Sequence, residues 1–188
     1  MRTDPTDAIS ASLKRERAAR GWSLAELAER SGVSKAMISK VERGEASPTA
    51  TVLGKLSGAF GLALSALLAL AEGRGERISR RAAQAVWQDP ETGYLRRALS
   101  PREQGALGPL ELLEIELPAQ VRVPYPAAAF AFQHQQLLVT EGQLLFQEGD
   151  QTHRLEAGDC LQLGSPMDCT FINPGKRPCK YLVALVRR

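Results

Sequence analysis

The stretch that decides the fold of the first half is Ser23–Ser47, Ser-Leu-Ala-Glu-Leu-Ala-Glu-Arg-Ser-Gly-Val-Ser-Lys-Ala-Met-Ile-Ser-Lys-Val-Glu-Arg-Gly-Glu-Ala-Ser. Its first residue is followed three positions later by Glu26, which is the spacing of a capping box at a helix start. Gly32, which can adopt a positive φ, marks a tight turn. A second serine cap then begins a helix over Ser34–Arg43. The stretch therefore predicts two short amphipathic helices joined by a turn.

Apolar residues continue at helical spacing on both sides of this pair. They predict one helix before it, over Ile9–Arg20, and two after it, over Thr49–Phe60 and Ala63–Ala71. Arg17 lies on the apolar face of the first helix, and Glu42 lies near the end of the second helix of the pair. Because an inward charge needs a partner, we predict that these two side chains form an ion pair.

The second helix of the pair presents a polar face that suits a DNA groove, while Met37, Ile38 and Val41 are predicted to pack inward. A lysine near the helix start can donate to guanine, and an alanine can contact a thymine methyl group. Later basic residues suit phosphates, as do hydroxyls and N–H groups at the next helix start. The predicted DNA contacts are Ser34, Lys35, Ala36, Ser39, Lys40, Arg43, Ser47 and Thr49.

The segment from about Leu13 to Leu68 resembles the Xre/Cro-type helix-turn-helix family. The motifs that carry the resemblance are Arg17, Ser23–Ala28, Gly32–Ser34, Ile38–Gly44 and Ser47–Thr49. The resemblance implies a five-helix domain that binds double-stranded operator DNA, usually as a dimer on a two-fold site. The chain departs from the family at Ala25, where many members carry a glutamine that helps to fix the register on DNA.

The composition changes near residue 73. Gly73–Arg81 carries four arginines and two glycines, and it is predicted to be a solvated linker. Beyond it, short alternating runs with turns every eight to twelve residues are typical of a sandwich or barrel. Two of these runs flank Glu141-Gly142, a hairpin turn signal. We therefore predict a helical domain over residues 1–72, a linker over 73–83 and an all-β domain over 84–188.

The second half resembles the cupin family over residues 130–186. The matching pieces are His134–Gly142, Gly158–Asp159 and Phe171–Pro174. The resemblance implies an all-β double-stranded β-barrel, and an Xre-type domain followed by a cupin is a familiar regulator architecture. The expected fold class is therefore α+β by separate domains, with a five-helix domain followed by this barrel.

Many cupins bind a metal through two histidines and a glutamate in the first motif and a histidine in the second. In this chain Gln135 and Gln136 stand where the glutamate is expected, and Cys169 replaces the second-motif histidine. His134 is the one imidazole near the first motif, and His153 falls outside both. A catalytic metal needs about three protein ligands. We therefore predict no metal, no other cofactor and no catalytic residue.

A small barrel can still enclose one small ligand. The inward face of the strands would form the pocket wall, with Tyr125 and Phe132 at its mouth. The same side chains could instead fill the barrel as core. The predicted ligand-binding residues are Gln136, Leu138, Phe146, Cys160, Gln162, Cys169 and Phe171.

The bulk properties fit a DNA-binding protein of the cytoplasm. The 188 residues carry a net charge of +3, and the three cysteines form no C-x-x-C pair. No apolar stretch is long enough to span a bilayer, so no membrane partner is expected. The leading hypothesis is a transcriptional regulator that binds operator DNA as a homodimer and responds to a small molecule in a metal-free barrel. The alternatives are a metal-dependent cupin enzyme with an accessory DNA-binding domain, and a regulator whose barrel only dimerises.

Overall fold

The first half of the chain is helical. The computed structural model describes residues 5–62, 64–68, 77–103, 106–107 and 110–187. Of the predicted fifth helix, only a five-residue segment lies among them, so they hold four full helices and a short fifth, and residues 63 and 69–71 of that prediction lie outside the described residues. The helices are α1 (Pro5–Ala19), α2 (Leu24–Ser31), α3 (Lys35–Glu42), α4 (Ala50–Phe60) and α5 (Leu64–Leu68).

The predicted turn between α2 and α3 is confirmed. The Ser23 hydroxyl accepts a hydrogen bond from the Glu26 N–H at 3.2 Å, and the Glu26 carboxylate accepts one from the Ser23 N–H at 2.7 Å. Gly32 ends α2 with φ of 64°, and the Ser34 hydroxyl accepts from the Met37 N–H at 3.2 Å to begin α3. These caps fix the angle between the two helices.

The helices bury one apolar core, to which α3 contributes Ile38 and Val41. The prediction that Met37 packs inward is wrong, because 37% of this residue is exposed. Met37 lies one residue, or about 100° of rotation, away from the buried Ile38, which places it at the edge of a narrow apolar stripe.

The second half is a sandwich of two antiparallel sheets rather than a closed barrel within the part of the chain that the structure describes. The six-stranded sheet has the order β1-β2-β5-β12-β7-β10, the four-stranded sheet has the order β6-β11-β8-β9, and β3 pairs only with β4. The strands are β1 (Val86–Gln88), β2 (Leu95–Ala98), β3 (Arg102–Glu103), β4 (Ala106–Leu107), β5 (Leu110–Leu117), β6 (Arg122–Tyr125), β7 (Gln133–Glu141), β8 (Gln143–Glu148), β9 (Gln151–Glu156), β10 (Cys160–Gln162), β11 (Cys169–Ile172) and β12 (Cys179–Arg187).

The inner faces of the two sheets meet through aromatic rings. Phe171 of the four-stranded sheet stacks on Tyr181 of the six-stranded sheet, with centroids 5.8 Å apart and planes at 1°. Phe146 packs beside Phe171 at 4.9 Å. Strand β6, which the sequence pattern did not predict, contains Pro124 and lies at a sheet edge. That is where a strand tolerates a proline, because no partner needs its missing N–H.

The turn at Gly142 does not make the hairpin that we predicted. Its φ of 79° reverses the chain, but β7 pairs with β10 and β12 while β8 pairs with β9 and β11. Gly142 is therefore a corner at which the chain passes from one sheet to the other. A Cβ at this position would lie 3.2 Å from the Pro178 carbonyl oxygen, so close packing at the corner adds to the need for glycine.

Helix α4 docks directly on the second domain. A Cβ on Gly58 would lie 2.5 Å from the Ala128 Cβ, and one on Gly54 would lie 2.9 Å from the Tyr125 ring. Ala128 belongs to a 3-10 turn over Ala127–Phe130 that follows β6. Glycine at both helix positions lets the backbones approach closely. The helical half and the sheet-rich half of the chain therefore share a packed interface centred on α4.

Candidate DNA-reading surface and inter-sheet cleft

The predicted DNA contacts lie on the exposed side of α3 and on the loop that follows it. Three of them, the hydroxyl residues Ser39, Ser47 and Thr49, are half-buried. The exposed ones are Ser34, Lys35, Ala36, Lys40 and Arg43. The α3 residues therefore form one polar, cationic surface, which we call the α3 surface. A surface of this kind has the size and charge to enter a major groove.

The backbone N–H groups at the N-terminus of α4 donate hydrogen bonds to side chains of the protein itself. The Thr49 hydroxyl accepts a hydrogen bond from the Val52 N–H at 3.3 Å. The Ala50 N–H donates to Asp89 Oδ2, although Asp89 belongs to the second domain. A carboxylate at a helix N-terminus is favourable for the helix dipole. The N–H groups of Ala50 and Val52, which the sequence suggested for a DNA phosphate, are therefore engaged in the structure.

Arg43 carries an ion pair on the α3 surface. Its Nε donates to Glu45 Oε1 at 2.6 Å and its Nη2 donates to Glu45 Oε2 at 2.7 Å, and its Nη1 donates to the Ser39 hydroxyl. These hydrogen bonds raise the pKa of Arg43 and lower the pKa of the Glu45 carboxyl. A DNA phosphate that approached Arg43 would have to displace this carboxylate.

The predicted pair between Arg17 and Glu42 is confirmed. Arg17 Nε lies 2.7 Å from Glu42 Oε1, and Arg17 Nη2 lies 2.8 Å from Glu42 Oε2. Arg17 Nη1 also donates to the Trp22 carbonyl oxygen at 2.8 Å. The hydrogen bonds that Arg17 donates to the Glu42 carboxylate raise the pKa of Arg17. This pair ties α1 to the end of α3, and it leaves Arg17 engaged inside the domain rather than available to DNA.

The structure places some of the predicted ligand-binding residues between the sheets and the others on the outer face of one sheet. Phe146, Cys169 and Phe171 are buried between the sheets, as expected. The other four predicted residues are exposed on the outer face of the six-stranded sheet: Gln136, Leu138, Cys160 and Gln162. In the pairing of β10 with β7, Cys160 lies opposite Leu138 and Gln162 lies opposite Gln136. The prediction of which residues face inward was therefore wrong by one position on both β7 and β10.

The inner side of β7 carries Gln133, Gln135, Leu137 and Val139 instead. The sequence did not show which residues of the run Leu137-Leu138-Val139 face inward. Alternation of apolar and polar residues distinguishes the two faces of a strand only when one face is polar. Of the residues predicted at the mouth, Tyr125 is buried and lines the cleft, whereas Phe132 is half-exposed near Gly61.

Between the sheets lies a narrow cleft that is partly open to solvent. Most of its wall is aliphatic or aromatic, and Leu64 of α5 contributes to the wall from the first domain. An adjoining cleft contains Phe146 and Cys169 and shares Phe130, Gln133 and Gln135 with the first. The polar residues of the larger cleft are Tyr94, Arg96, Tyr125, Gln133, Gln135 and Tyr181.

Several of these polar groups lack a partner among the described residues. Arg96 is only 8% exposed, and no described carboxylate lies within ion-pair distance of it. The Tyr125 hydroxyl and Gln133 Oε1 are buried without a hydrogen bond of ordinary geometry. Burial raises the pKa of Tyr94, Tyr125 and Tyr181, so these phenols keep their protons at neutral pH. Arg96 was not predicted as a site residue, because the lack of a nearby carboxylate is visible only in the folded chain.

The cleft does not fit the metal that many cupins hold. No group of three His, Cys, Asp or Glu side chains in the described ranges could bind one. His134 lies on the exposed face of β7, and His153 pairs with Glu148 at 3.0 Å. Neutral amides, protonated phenols and a guanidinium are not the imidazole, thiolate or carboxylate ligands that transition metals prefer. The cleft instead presents a guanidinium, phenols and amides in an apolar wall.

Comparison with known proteins identifies the first domain. Residues 13–67 match the family model HTH_3, described as helix-turn-helix. Over these residues the chain is similar to helix-turn-helix proteins. Over 49 residues the chain is 53% identical to the HTH-type transcriptional regulator SutR of Escherichia coli (strain K12). That alignment covers 26% of this chain and 28% of SutR, so the likeness concerns the helix-turn-helix domain rather than the whole protein.

Solved structures extend the likeness to the whole fold. The crystal structure of an HTH_3 family transcriptional regulator from Vibrio cholerae superposes with a TM-score of 0.75 at 24% identity, over 97% of both chains. The helix-turn-helix domain and the sandwich thus occur together in that protein. Hydroxypropylphosphonic acid epoxidase from S. wedmorenis is more distant, with a TM-score of 0.48 and 18% identity over 95% of this chain and 97% of that one.

Among the described residues, no helix is long and apolar enough to cross a membrane.

Proposed function

We propose that this protein is a transcriptional regulator that binds operator DNA through the α3 surface. The observation that carries the proposal is the match of residues 13–67 to a helix-turn-helix family, with Lys35 and Lys40 exposed on the second helix of the motif. The Arg17–Glu42 pair supports it, because it anchors the end of α3 to α1. The 53% identity to a regulator in this same segment favours this role over that of a cupin enzyme.

We further propose that the second domain, over residues 84–188, senses a small molecule and that residues 73–83 connect it to the first. Ala129 and Phe130 of the 3-10 turn line the cleft, and Ala128 of the same turn packs against Gly58 on α4. A ligand that moved this turn would press on α4 and so shift the domain that carries α3. Binding would then favour one arrangement of the domains over another.

The outer face of the six-stranded sheet supports a homodimer. Four apolar residues on three neighbouring strands of this face are between 37% and 52% exposed: Leu110, Leu112, Leu138 and Val186. In the register of the sheet, Leu138 lies beside Leu182, and Leu110 lies beside Val186. A contiguous apolar patch of this kind on a soluble protein marks an interface. A second copy is the natural partner, because helix-turn-helix proteins read two half-sites about 34 Å apart.

Selection of bound duplexes from a random DNA library tests the proposal. The expected product is a two-fold motif whose half-sites lie one helical turn apart. L138K is expected to give a monomer in light-scattering measurements and to weaken binding to that motif, whereas I78K, which changes an exposed apolar residue elsewhere, leaves both unchanged. Recovery of no preferred duplex would overturn the regulator role. A preferred motif without symmetry, bound by a monomer, would overturn the dimer alone.

A further inference from the structure

At the polar end of the inter-sheet cleft, a cation is buried without a counterion among the residues that the structure describes. Arg96 projects from β2 on the inner side of the sheet, opposite the buried Ile115 of β5. Two other arginines, by contrast, have a carboxylate partner. Arg97 lies 3.1 Å from Glu114, and Arg81 lies 3.4 Å from the same carboxylate. The inner arginine has no such partner among the described residues.

A buried guanidinium without a carboxylate is costly in a folded protein. Removal of a charge from water has a large desolvation cost, and folded proteins normally offset it with a paired opposite charge. Here the neighbours of Arg96 are the phenols of Tyr94, Tyr125 and Tyr181, which burial keeps protonated and therefore uncharged. The site thus holds one positive charge and several phenols. The nearby Asp89 carboxylate contributes to the raised pKa of Tyr94, but it forms no ion pair with Arg96 and accepts hydrogen bonds from the N–H groups of Ala50, Glu91 and Thr92.

We infer that the cleft binds a small organic anion, a carboxylate or sulfonate with a short apolar body, and that Arg96 receives its charged group. This rests on the proposed sensing role of the second domain and names the chemical class of its ligand. Guanidinium groups bind planar and tetrahedral oxyanions through two parallel N–H donors. The Tyr125 hydroxyl, which lies beside the Tyr94 hydroxyl, is a further polar group in the same cleft. The aliphatic wall, which includes Ile115 and Val183, accommodates the apolar body.

The position of the cleft connects this ligand to the first domain. Leu64 of α5 lines the same space, together with Ala129 and Phe130 of the turn that packs on α4. An anion with an apolar body would therefore touch groups from both domains when its charged end reaches Arg96. A bare inorganic ion would reach the guanidinium without making these apolar contacts.

The test uses the full-length protein and a panel of probes. Straight-chain carboxylates and alkanesulfonates of two to six carbons are titrated at up to about 10 mM, with calorimetry and thermal unfolding as readouts. Butyramide serves as the uncharged match for butyrate, and chloride and inorganic phosphate serve as the bare ions. At least one organic anion is expected to bind saturably and to raise Tm, while butyramide does not. The two arms of the panel show whether the headgroup is a carboxylate or a sulfonate.

Variants of Arg96 separate binding from structure. R96Q is expected to weaken binding of the best probe by about 30-fold or more, as expected when one partner of a buried charge pair is removed. R96M is expected to abolish binding and yet to raise Tm of the ligand-free protein, because a desolvated charge is replaced by an apolar chain of similar length. A purely structural arginine would give a lower Tm in R96M.

Three results would overturn the inference. They are no saturable binding by any organic anion of the panel, equal binding of butyrate and butyramide, and unchanged probe affinity in R96Q. Binding of an adventitious ion only, seen as equal effects of chloride, phosphate and butyrate, would also overturn it. Affinity of the ligand-free protein for its selected duplex is measured in parallel. Loss of anion binding with intact DNA binding would remove this inference and leave the regulator role standing.

Discussion

The carboxylate of Asp89, in the second domain, accepts a hydrogen bond from the backbone N–H of Ala50, the first residue of α4 in the first domain. Its other oxygen accepts from the N–H groups of Glu91 and Thr92 at 2.9 and 2.8 Å and from the Thr92 hydroxyl at 3.0 Å. One buried side chain thus holds a turn in its own domain and closes the start of a helix in the other. The two domains are therefore joined by a specific polar contact as well as by packing.

Asp89→Ala is expected to lower the free energy of unfolding by about 2–4 kcal/mol, because several hydrogen bonds to a charged group are lost and buried N–H groups stay unpaired. Chemical denaturation followed by circular dichroism measures this value. Glu91→Ala is the matched control, since Glu91 is an exposed acidic residue two positions away, and its effect should stay within about 0.5 kcal/mol. Equal denaturation midpoints for the two variants would show that the Asp89 contact is unimportant.

Gly58→Ala tests the packing between α4 and the 3-10 turn. Alanine normally stabilises a helix interior by about 1 kcal/mol relative to glycine. Here its Cβ would lie 2.5 Å from the Ala128 Cβ, so we expect a net loss of about 1–3 kcal/mol from overpacking. Thermal unfolding measures the change.

A double variant checks that this clash is the cause. Ala128→Gly in the Gly58→Ala background should recover part of the lost stability, because the two sites are in direct contact and their effects should not add. Gly164→Ala is the control, since a Cβ at that exposed glycine meets nothing within 4 Å. If the stability losses of the two single variants simply added in the double variant, the contact between residues 58 and 128 would not be the cause of the loss.

Glu45→Gln is expected to strengthen DNA binding. Glu45 neutralises Arg43 on the α3 surface, and its removal frees the guanidinium for a phosphate and removes a negative charge from the approach path. We expect affinity to rise about 2–5-fold at about 0.1 M salt, with a steeper salt dependence. Glu91→Gln makes the same change in net charge in the second domain and should leave affinity unchanged. If the two variants behaved alike, Arg43 would not contact DNA.

The three thiols are expected to react at different rates in the native protein. Burial raises the pKa of Cys169 to about 12 and that of Cys179 to about 11, whereas Cys160 is exposed. Because the thiolate is the reactive form, one thiol should react quickly with a disulfide reagent at pH 8 and two only after unfolding. Cys160→Ser should abolish the fast phase. A fast phase of more than one thiol would show that the inner face opens readily.

The sequence predicted the helix-turn-helix domain well because its structure is encoded locally. The capping box of Ser23 and Glu26 and the left-handed Gly32 specify a helix and a turn within a few residues. The Arg17–Glu42 pair was also predictable, since helical spacing placed Arg17 on the apolar face of the first helix and Glu42 lay near the end of the second helix of the pair. Met37 was misplaced because it lies at the boundary of a short apolar stripe, where one residue changes the side that faces solvent.

Most strands of the second half were predicted from the sequence, but strand β6, the open sandwich and several residues of the site were not. The phase of β7 depends on which of Leu137 and Leu138 faces inward, and that is decided by pairing with strands distant in sequence. The role of Arg96 depends on the absence of a partner in space, and the contact between Asp89 and Ala50 spans 39 residues. Neither feature leaves a periodic signal. The relation between the domains could therefore be seen only in three dimensions.

The central claim is that the α3 surface recognises particular base pairs, and competition binding at about 0.15 M salt tests it most directly. The wild-type protein should hold its selected duplex about 10³-fold or more tightly than random duplex. Lys35→Ala should reduce this preference, whereas Arg43→Ala should weaken binding to both duplexes alike. Equal affinity of the wild-type protein for the selected and the random duplex would contradict the account.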